Sequence, residues 1–178
     1  PEFLWGATDG AEGKPLEFTS YFFPWAGQAI MRSGWEQADR YLMFEIGPFG
    51  IGHQHEDKLG LFLYAYGRPL LTEAGTYTYD RSKWRRYALA TPSHNTIMVD
   101  GMGQHRRGSR ETYENEEPMT DCWATTEVFD WATGVYDNGY GPTLDQDGKA
   151  LGRDHDLTEV QHERTVVFVR PDYYLVID

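Results

Sequence analysis

The stretch Gly52-His53-Gln54-His55-Glu56-Asp57-Lys58 holds two histidines separated by one residue. Glu73 comes eighteen residues after His55, within Leu70-Leu71-Thr72-Glu73-Ala74-Gly75, and His94 follows within Ser93-His94-Asn95-Thr96. On extended backbone, His53 and His55 point to the same face. His55, Glu73 and His94 are metal-type donors. Imidazole and carboxylate together suit a divalent transition ion, zinc above all, held by three protein ligands at separated positions. The plainer reading is a chance His-x-His that decorates a surface. Asp57 either orients an imidazole from behind or forms an ordinary ion pair with Lys58 or an arginine.

A second feature surrounds His94. Seven basic residues (Arg81, Lys83, Arg85, Arg86, Arg106, Arg107, Arg110) and one acid, Asp100, fall between positions 81 and 110. The local charge is therefore +6, and with a formal net charge of −12 the remainder carries −18. A cluster of this sign attracts anions even on an acidic protein, although a solvated Arg-rich loop would look the same. The acidic overall balance argues against nucleic acid as a partner. Within the cluster, Arg85 and Arg86 are candidate substrate contacts and Trp84 is a candidate sugar platform. The other tryptophans, Trp5, Trp25, Trp35, Trp123 and Trp131, read as core or domain-interface residues.

The elements that must place these residues are short. Ser20–Trp25, Gln28–Ser33, Arg40–Ile46, Leu59–Tyr66 and Pro69–Ala74 read as strands, and Gly47 to Gly52 is a glycine-rich loop running straight into the histidines. That loop is no phosphate cradle, because no Lys-Ser/Thr follows it. Thr76 to Asp80 alternates and would bring Tyr77 and Tyr79 to one face. Arg81 to Ala90 is the best candidate for a short helix or an irregular crossing. Thr96 to Val99, Cys122 to Val135, Glu163 to Val169 and Tyr173 to Ile177 read as further strands, Asp100-Gly101 as a turn, and Asp137 to His155 as a loop. Many short strands with almost no helical periodicity imply an all-β, antiparallel β-sandwich or a barrel.

The chain has 178 residues, 40% hydrophobic and 15% aromatic, enough for one domain with a substantial core. No apolar run reaches membrane-spanning length, and the single cysteine, Cys122, excludes an intrachain disulfide framework. The chain opens at Pro1 without a methionine and closes on Tyr173-Tyr174-Leu175-Val176-Ile177-Asp178, which reads as mid-strand. We expect a piece of a longer protein, with residues 1–19 as a linker or the tail of a preceding domain and 20–178 as one sandwich domain, truncated at its C-terminus.

At Gly52-His53-Gln54-His55-Glu56-Asp57, Tyr64-Ala65-Tyr66-Gly67-Arg68-Pro69-Leu70-Leu71, Gly75-Thr76-Tyr77-Thr78-Tyr79 and Ser93-His94-Asn95-Thr96, the sequence resembles the heparinase II/III-like family. These are polysaccharide lyases acting on heparin-type glycosaminoglycans or alginate. The resemblance runs over roughly residues 18 to 178 and covers only the family's C-terminal β-sandwich region (supersandwich-like). It implies an (α/α) toroid upstream in the complete enzyme and an anionic polysaccharide as partner. It also implies one structural zinc ion on His55, Glu73 and His94, although the family's usual acid is Asp. It makes His53 a catalytic residue facing the substrate cleft, and Tyr79, or less readily Tyr77 or Tyr87, a tyrosine that assists catalysis. A bacterial periplasmic or secreted location is implied by the resemblance alone.

The chemistry asks for such residues. A lyase removes the C5 proton of a uronic acid and expels the C4 glycosidic oxygen, so the neighbouring carboxylate must be neutralised as charge develops. A Tyr or His must stand within hydrogen-bond reach to move the protons. Two rivals remain. A cupin-type metal enzyme also uses His-x-His, but positions four and five after His55 are Leu59 and Gly60, not the Glu that fold needs. A non-catalytic carbohydrate-binding or domain-docking sandwich is the other.

Overall fold

Short runs rich in aliphatic and aromatic residues form the first sheet. In the computed structural model, which describes residues 16–105, 114–141 and 157–178, Tyr21–Phe23 (β1), Gln28–Arg32 (β2), Tyr41–Glu45 (β3), Leu61–Ala65 (β4) and Arg68–Leu71 (β5) pair in sequence order as an antiparallel meander. Ala29 and Met31 of β2 and Leu42 and Phe44 of β3 all point inward and are fully buried, as a period of two requires. The β4–β5 hairpin turns at Tyr66-Gly67, both with positive φ (+55° and +72°), the tight turn whose twist matches the strands it joins.

After β5 the chain leaves the sheet. Lys83–Leu89 (α1) is a two-turn helix whose N-cap, Ser82, accepts a hydrogen bond from Arg85 N through its hydroxyl at 3.2 Å. A 3-10 turn over Thr91–Ser93 follows, with Pro92 at its start. Gly103–Gln104 (β6) later pairs with Tyr140–Gly141 (β9) in a two-stranded sheet.

Trp123–Thr125 (β7), Phe129–Tyr136 (β8), His162–Val169 (β10) and Tyr173–Ile177 (β11) form the second antiparallel sheet, in the order β11-β10-β8-β7. The core lies between the two sheets: Phe22, Met31, Leu42 and Phe44 face Ala132, Val166 and Phe168, with Ile46, Leu59, Tyr136 and Tyr140 closing one end. Gly134 marks the closest approach, where a Cβ would lie 2.6 Å from Leu59 Cδ2 and 2.7 Å from Ile46 Cγ2. The architecture is the antiparallel β-sandwich expected. Among the described residues, no helix is long and apolar enough to cross a membrane.

Several local expectations are corrected. The histidine loop is irregular and His53 has φ +59°, so the argument that His53 and His55 share one face of a strand fails. Tyr77 also has φ +59°, which breaks the alternation expected across Thr76 to Asp80. Thr96–Val99 is not a strand, and only Val99 makes a single bridge, to Met102. Glu73 lies beyond the end of β5 at Leu71. Residues 1–15 of the expected linker, Arg106, Arg107 and Arg110 of the basic cluster, and positions 142–155 of the expected loop lie outside the described residues.

Candidate active site

The loop between β3 and β4 carries His53, His55 and Asp57, and a buried polar network fixes its second half. The Glu56 carboxylate accepts from Thr91 N (3.1 Å) and Thr91 Oγ1 (3.3 Å), while Glu56 N donates to Leu89 O (2.9 Å) at the end of α1. Gln104, fully buried, accepts from Lys58 N through Oε1 (2.9 Å) and donates to Lys58 O through Nε2 (2.9 Å). Thr96 Oγ1 donates to the same carbonyl (2.7 Å). The His55 side of the loop is thereby bound to the segment that carries His94. Buried polar groups satisfied in this way rigidify a site. Beneath the loop, burial pushes the Glu45 carboxyl up to about 7 and the Lys58 amine down to about 8.

His94 follows the 3-10 turn, with its backbone N donating to Thr91 O (3.0 Å). Its ring is buried. Nδ1 meets the Glu73 carboxylate, and Nε2 has no hydrogen-bond partner among the described residues. Asn95 links β4 to the segment that follows β5: Nδ2 donates to Leu61 O and Thr72 O, each at 2.9 Å, and lies 3.3 Å from Glu73 Oε1. The His55 ring centroid is 5.2 Å from that of His94, and the donor atoms of His55, Asp57 and His94 all lie within 4.8 Å of one another. The group of mutually close donors therefore contains Asp57, read from sequence as an orienting or ion-pairing group, while Glu73 stands outside it and meets His94 alone of the three.

His53 turns the other way. Its Nδ1 is 3.2 Å from Tyr79 Oη, with the rings edge to face at 5.8 Å. The Arg85 guanidinium lies 5.1 Å from the centre of the Tyr79 ring and is held by donation to Thr76 O. Of the three candidate tyrosines, Tyr79 is the one that meets His53; Tyr87 Oη donates to Pro92 O instead. Tyr79 is 74% exposed, so the pair is open to a ligand. Arg86 is turned onto Arg81 O (3.0 Å), and Trp84 is exposed with Lys83 Nζ 5.0 Å from its ring centre. Among the described residues of the basic cluster, Arg85 is therefore the one that the fold brings to the His53–Tyr79 pair.

Residues 18–178 match the sequence model of a family described as "Heparinase II/III-like, C-terminal". The chain belongs to the heparinase II/III-like family. It is 28% identical over 176 residues to a heparin-sulfate lyase of Pedobacter heparinus, which covers 97% of this chain and 23% of that protein. A heparin-sulfate lyase of Bacteroides stercoris is 22% identical over 182 residues, covering 97% of this chain and 22% of the relative. Among solved structures, a heparan sulfate lyase from Pedobacter heparinus superposes with a TM-score of 0.70 at 23% identity, and a heparinase III with 0.70 at 20% identity. Each covers 98% of this chain but only 24% of its own. The chain spans less than a quarter of the length of these relatives, and the structural likenesses show the fold.

Within this heparinase-like sandwich, sequence reasoning missed Arg164. Its buried guanidinium on β10 donates through Nη1 to Leu59 O (2.7 Å) and Asn95 O (2.8 Å), and through Nε and Nη2 to the Asp178 carboxylate (2.7 and 3.0 Å). It joins the second sheet to both donor-bearing loops, four residues past His55 and one past His94. A signal was available: Arg164 falls in the inward register of His162, Val166 and Phe168, where an arginine must have partners.

Proposed function

We propose that the protein carrying this chain is a polysaccharide lyase that cleaves a uronic-acid-containing glycosaminoglycan by β-elimination, and that this sandwich supplies part of the active site. The observation that carries the reading is the hydrogen-bonded His53–Tyr79 pair beside the Arg85 guanidinium, in a chain of a family whose relatives are named heparin-sulfate lyases. In this mechanism Arg85 faces the uronate carboxylate and offsets the charge that builds on it as the C5 proton leaves. The C5–H electron pair becomes the C4–C5 double bond, and the C4–O bond breaks with its pair going to the glycosidic oxygen. His53 and Tyr79 carry the two proton transfers, from C5 and to the leaving oxygen. The hydrogen bond between them holds both groups in position. We place the full protein in the bacterial periplasm or outside the cell, where such a polymer would be met.

We further propose that the neighbouring cluster binds zinc through His55, Glu73 and His94, with Asp57 in reach as a fourth donor. The fit rests on the mutually close donors of His55, Asp57 and His94, on the contact of Glu73 with His94, and on the buried, unpartnered His94 Nε2. Two imidazoles and two carboxylates would form a closed site, and zinc in closed sites contributes folding energy and fixes the loops that carry its ligands. Glu73 for the usual Asp lengthens the arm by one methylene, and its contact with His94 supports the longer residue reaching the same place.

The test is to incubate the full-length protein with heparan sulfate, heparin and alginate, following the ultraviolet absorbance of the new C4–C5 double bond. Absorbance should rise with a glycosaminoglycan. No rise with any of the three polymers would overturn the reading.

A further inference from the structure

The outer face of the first sheet carries a feature that the active site does not use. Arg32, Tyr41 and Tyr64 are in register across β2, β3 and β4, and so form one row on one face. Phe62, one pleat along β4, packs against Tyr41 edge to face at 5.9 Å. The Arg32 guanidinium lies 3.9 Å from the centre of the Trp35 ring and 5.1 Å from that of Tyr41. Together with Glu36 and Gln37 these side chains line an open cleft of about 380 Å³. That is within the size range of small-ligand sites.

The cleft is preorganised. Asp39 Oδ1 accepts from Ser33 Oγ (2.9 Å) and Oδ2 from Glu36 N (2.8 Å), while Ser33 Oγ accepts from Arg40 N (2.9 Å). Trp35 Nε1 donates to Phe18 O (2.9 Å), and Tyr64 Oη to Gln37 O (3.1 Å). These bonds hold the loop that overhangs the sheet and fix the indole plane. Yet Trp35, expected to be core or interface, is 45% exposed, and Arg32 Nε is buried without a hydrogen-bond partner among the described residues. A fixed, exposed aromatic platform beside an under-satisfied guanidinium calls for a ligand with an apolar face and an anionic or polar edge. A hexuronate or sulfated sugar ring has both: its axial C–H groups form the apolar face, and its carboxylate or sulfate matches the guanidinium fork.

We propose that this cleft is a non-catalytic subsite for one sugar unit of an anionic polysaccharide, seated on Trp35 with its acidic group against Arg32 and its hydroxyls toward Glu36 and Gln37. The ligand class rests on the lyase reading above. A site apart from the His53–Tyr79 pair would retain a long chain between cleavage events and be of no use to a short one.

The test uses the full-length protein, intact heparan sulfate chains and a heparan sulfate tetrasaccharide, with Trp35→Ala and Arg32→Gln made separately. Each variant should bind the intact chains about tenfold more weakly and turn over the tetrasaccharide at the unaltered rate. Unchanged binding of intact chains in both variants would overturn the inference. So would lower melting temperatures with equal losses on both substrates, because that pattern means this face packs against another part of the protein. If the unaltered protein cleaves nothing but still binds heparan sulfate in a Trp35-dependent way, the subsite stands and the lyase reading falls.

Discussion

Replacing Arg164 with methionine should loosen the proposed zinc site without touching a ligand. The Arg164 guanidinium holds two carbonyls, Leu59 O at 2.7 Å and Asn95 O at 2.8 Å, from a buried position. Hydrogen bonds to a charged group are worth about 1.5–3 kcal/mol each. Asp178, partly exposed, rehydrates when its partner is removed, so we count only the two carbonyls. Methionine restores some apolar packing, which leaves a net destabilisation of about 3 kcal/mol, at the low end of the range for breaking a buried pair. The larger consequence concerns the loops. With neither anchor, the segments bearing His55 and His94 lose their fixed spacing, and disturbing such supports lowers metal affinity by about 10–100-fold. The assay is a zinc titration of the full-length protein against a chromogenic chelator, beside a thermal melt. A variant that melts lower but binds zinc as tightly as the unaltered protein would refute the reasoning, because Arg164 would then join the sheets without positioning the donors.

Four further outcomes follow from the same geometry. Tyr79→Phe removes the hydroxyl that meets His53 and should lower kcat of the full-length enzyme by about 10²–10⁴-fold with little change in KM; a proportionate rise in KM alone would make Tyr79 a binding group. Glu73→Gln and Asp57→Asn should each weaken zinc, by about tenfold or more, and an unchanged affinity in Asp57→Asn would limit the site to three ligands. Burial raises the folded-state pKa of Glu45 from 4.5 to about 7, so its contribution is fully present below pH 4.5 and is lost as pH rises towards 7. Glu45→Gln should flatten that fall in a series of melts, and a fall of the same size in the variant would remove Glu45 as its cause. This 178-residue chain on its own should turn over no polymer, which a purified preparation tested on heparan sulfate would check; appreciable turnover would place the whole catalytic machinery in the sandwich.

Strands were readable as short apolar runs bounded by turn residues: β2, β3 and β10 stand within two residues of their expected spans. The helix lies inside the span, Arg81 to Ala90, expected to hold a short helix or an irregular crossing. Backbone with positive φ was not readable. Nothing in the residue types at His53 or Tyr77 announces the left-handed conformation, yet at His53 it ends the shared-face argument. The sequence brought His53, His55, Glu73 and His94 into consideration for reasons of chemistry and resemblance, and the fold divides the His-x-His pair between two neighbourhoods. Asp57 and Arg164 were undervalued for one reason: their roles depend on contacts between distant segments, Arg164 lying 105 residues from Leu59. Trp35 is not a core residue of this sandwich: a hydrogen bond to Phe18 O fixes its exposed ring.

The most direct test of the central claim is the mass balance of one cleavage. The full-length protein would be given a defined heparan sulfate oligosaccharide and the products weighed by mass spectrometry. Elimination predicts two products whose masses sum to that of the substrate, with the unsaturated uronate at the new non-reducing end of the fragment from the reducing side of the cut. Products that together gain one water would mean hydrolysis and would contradict the account.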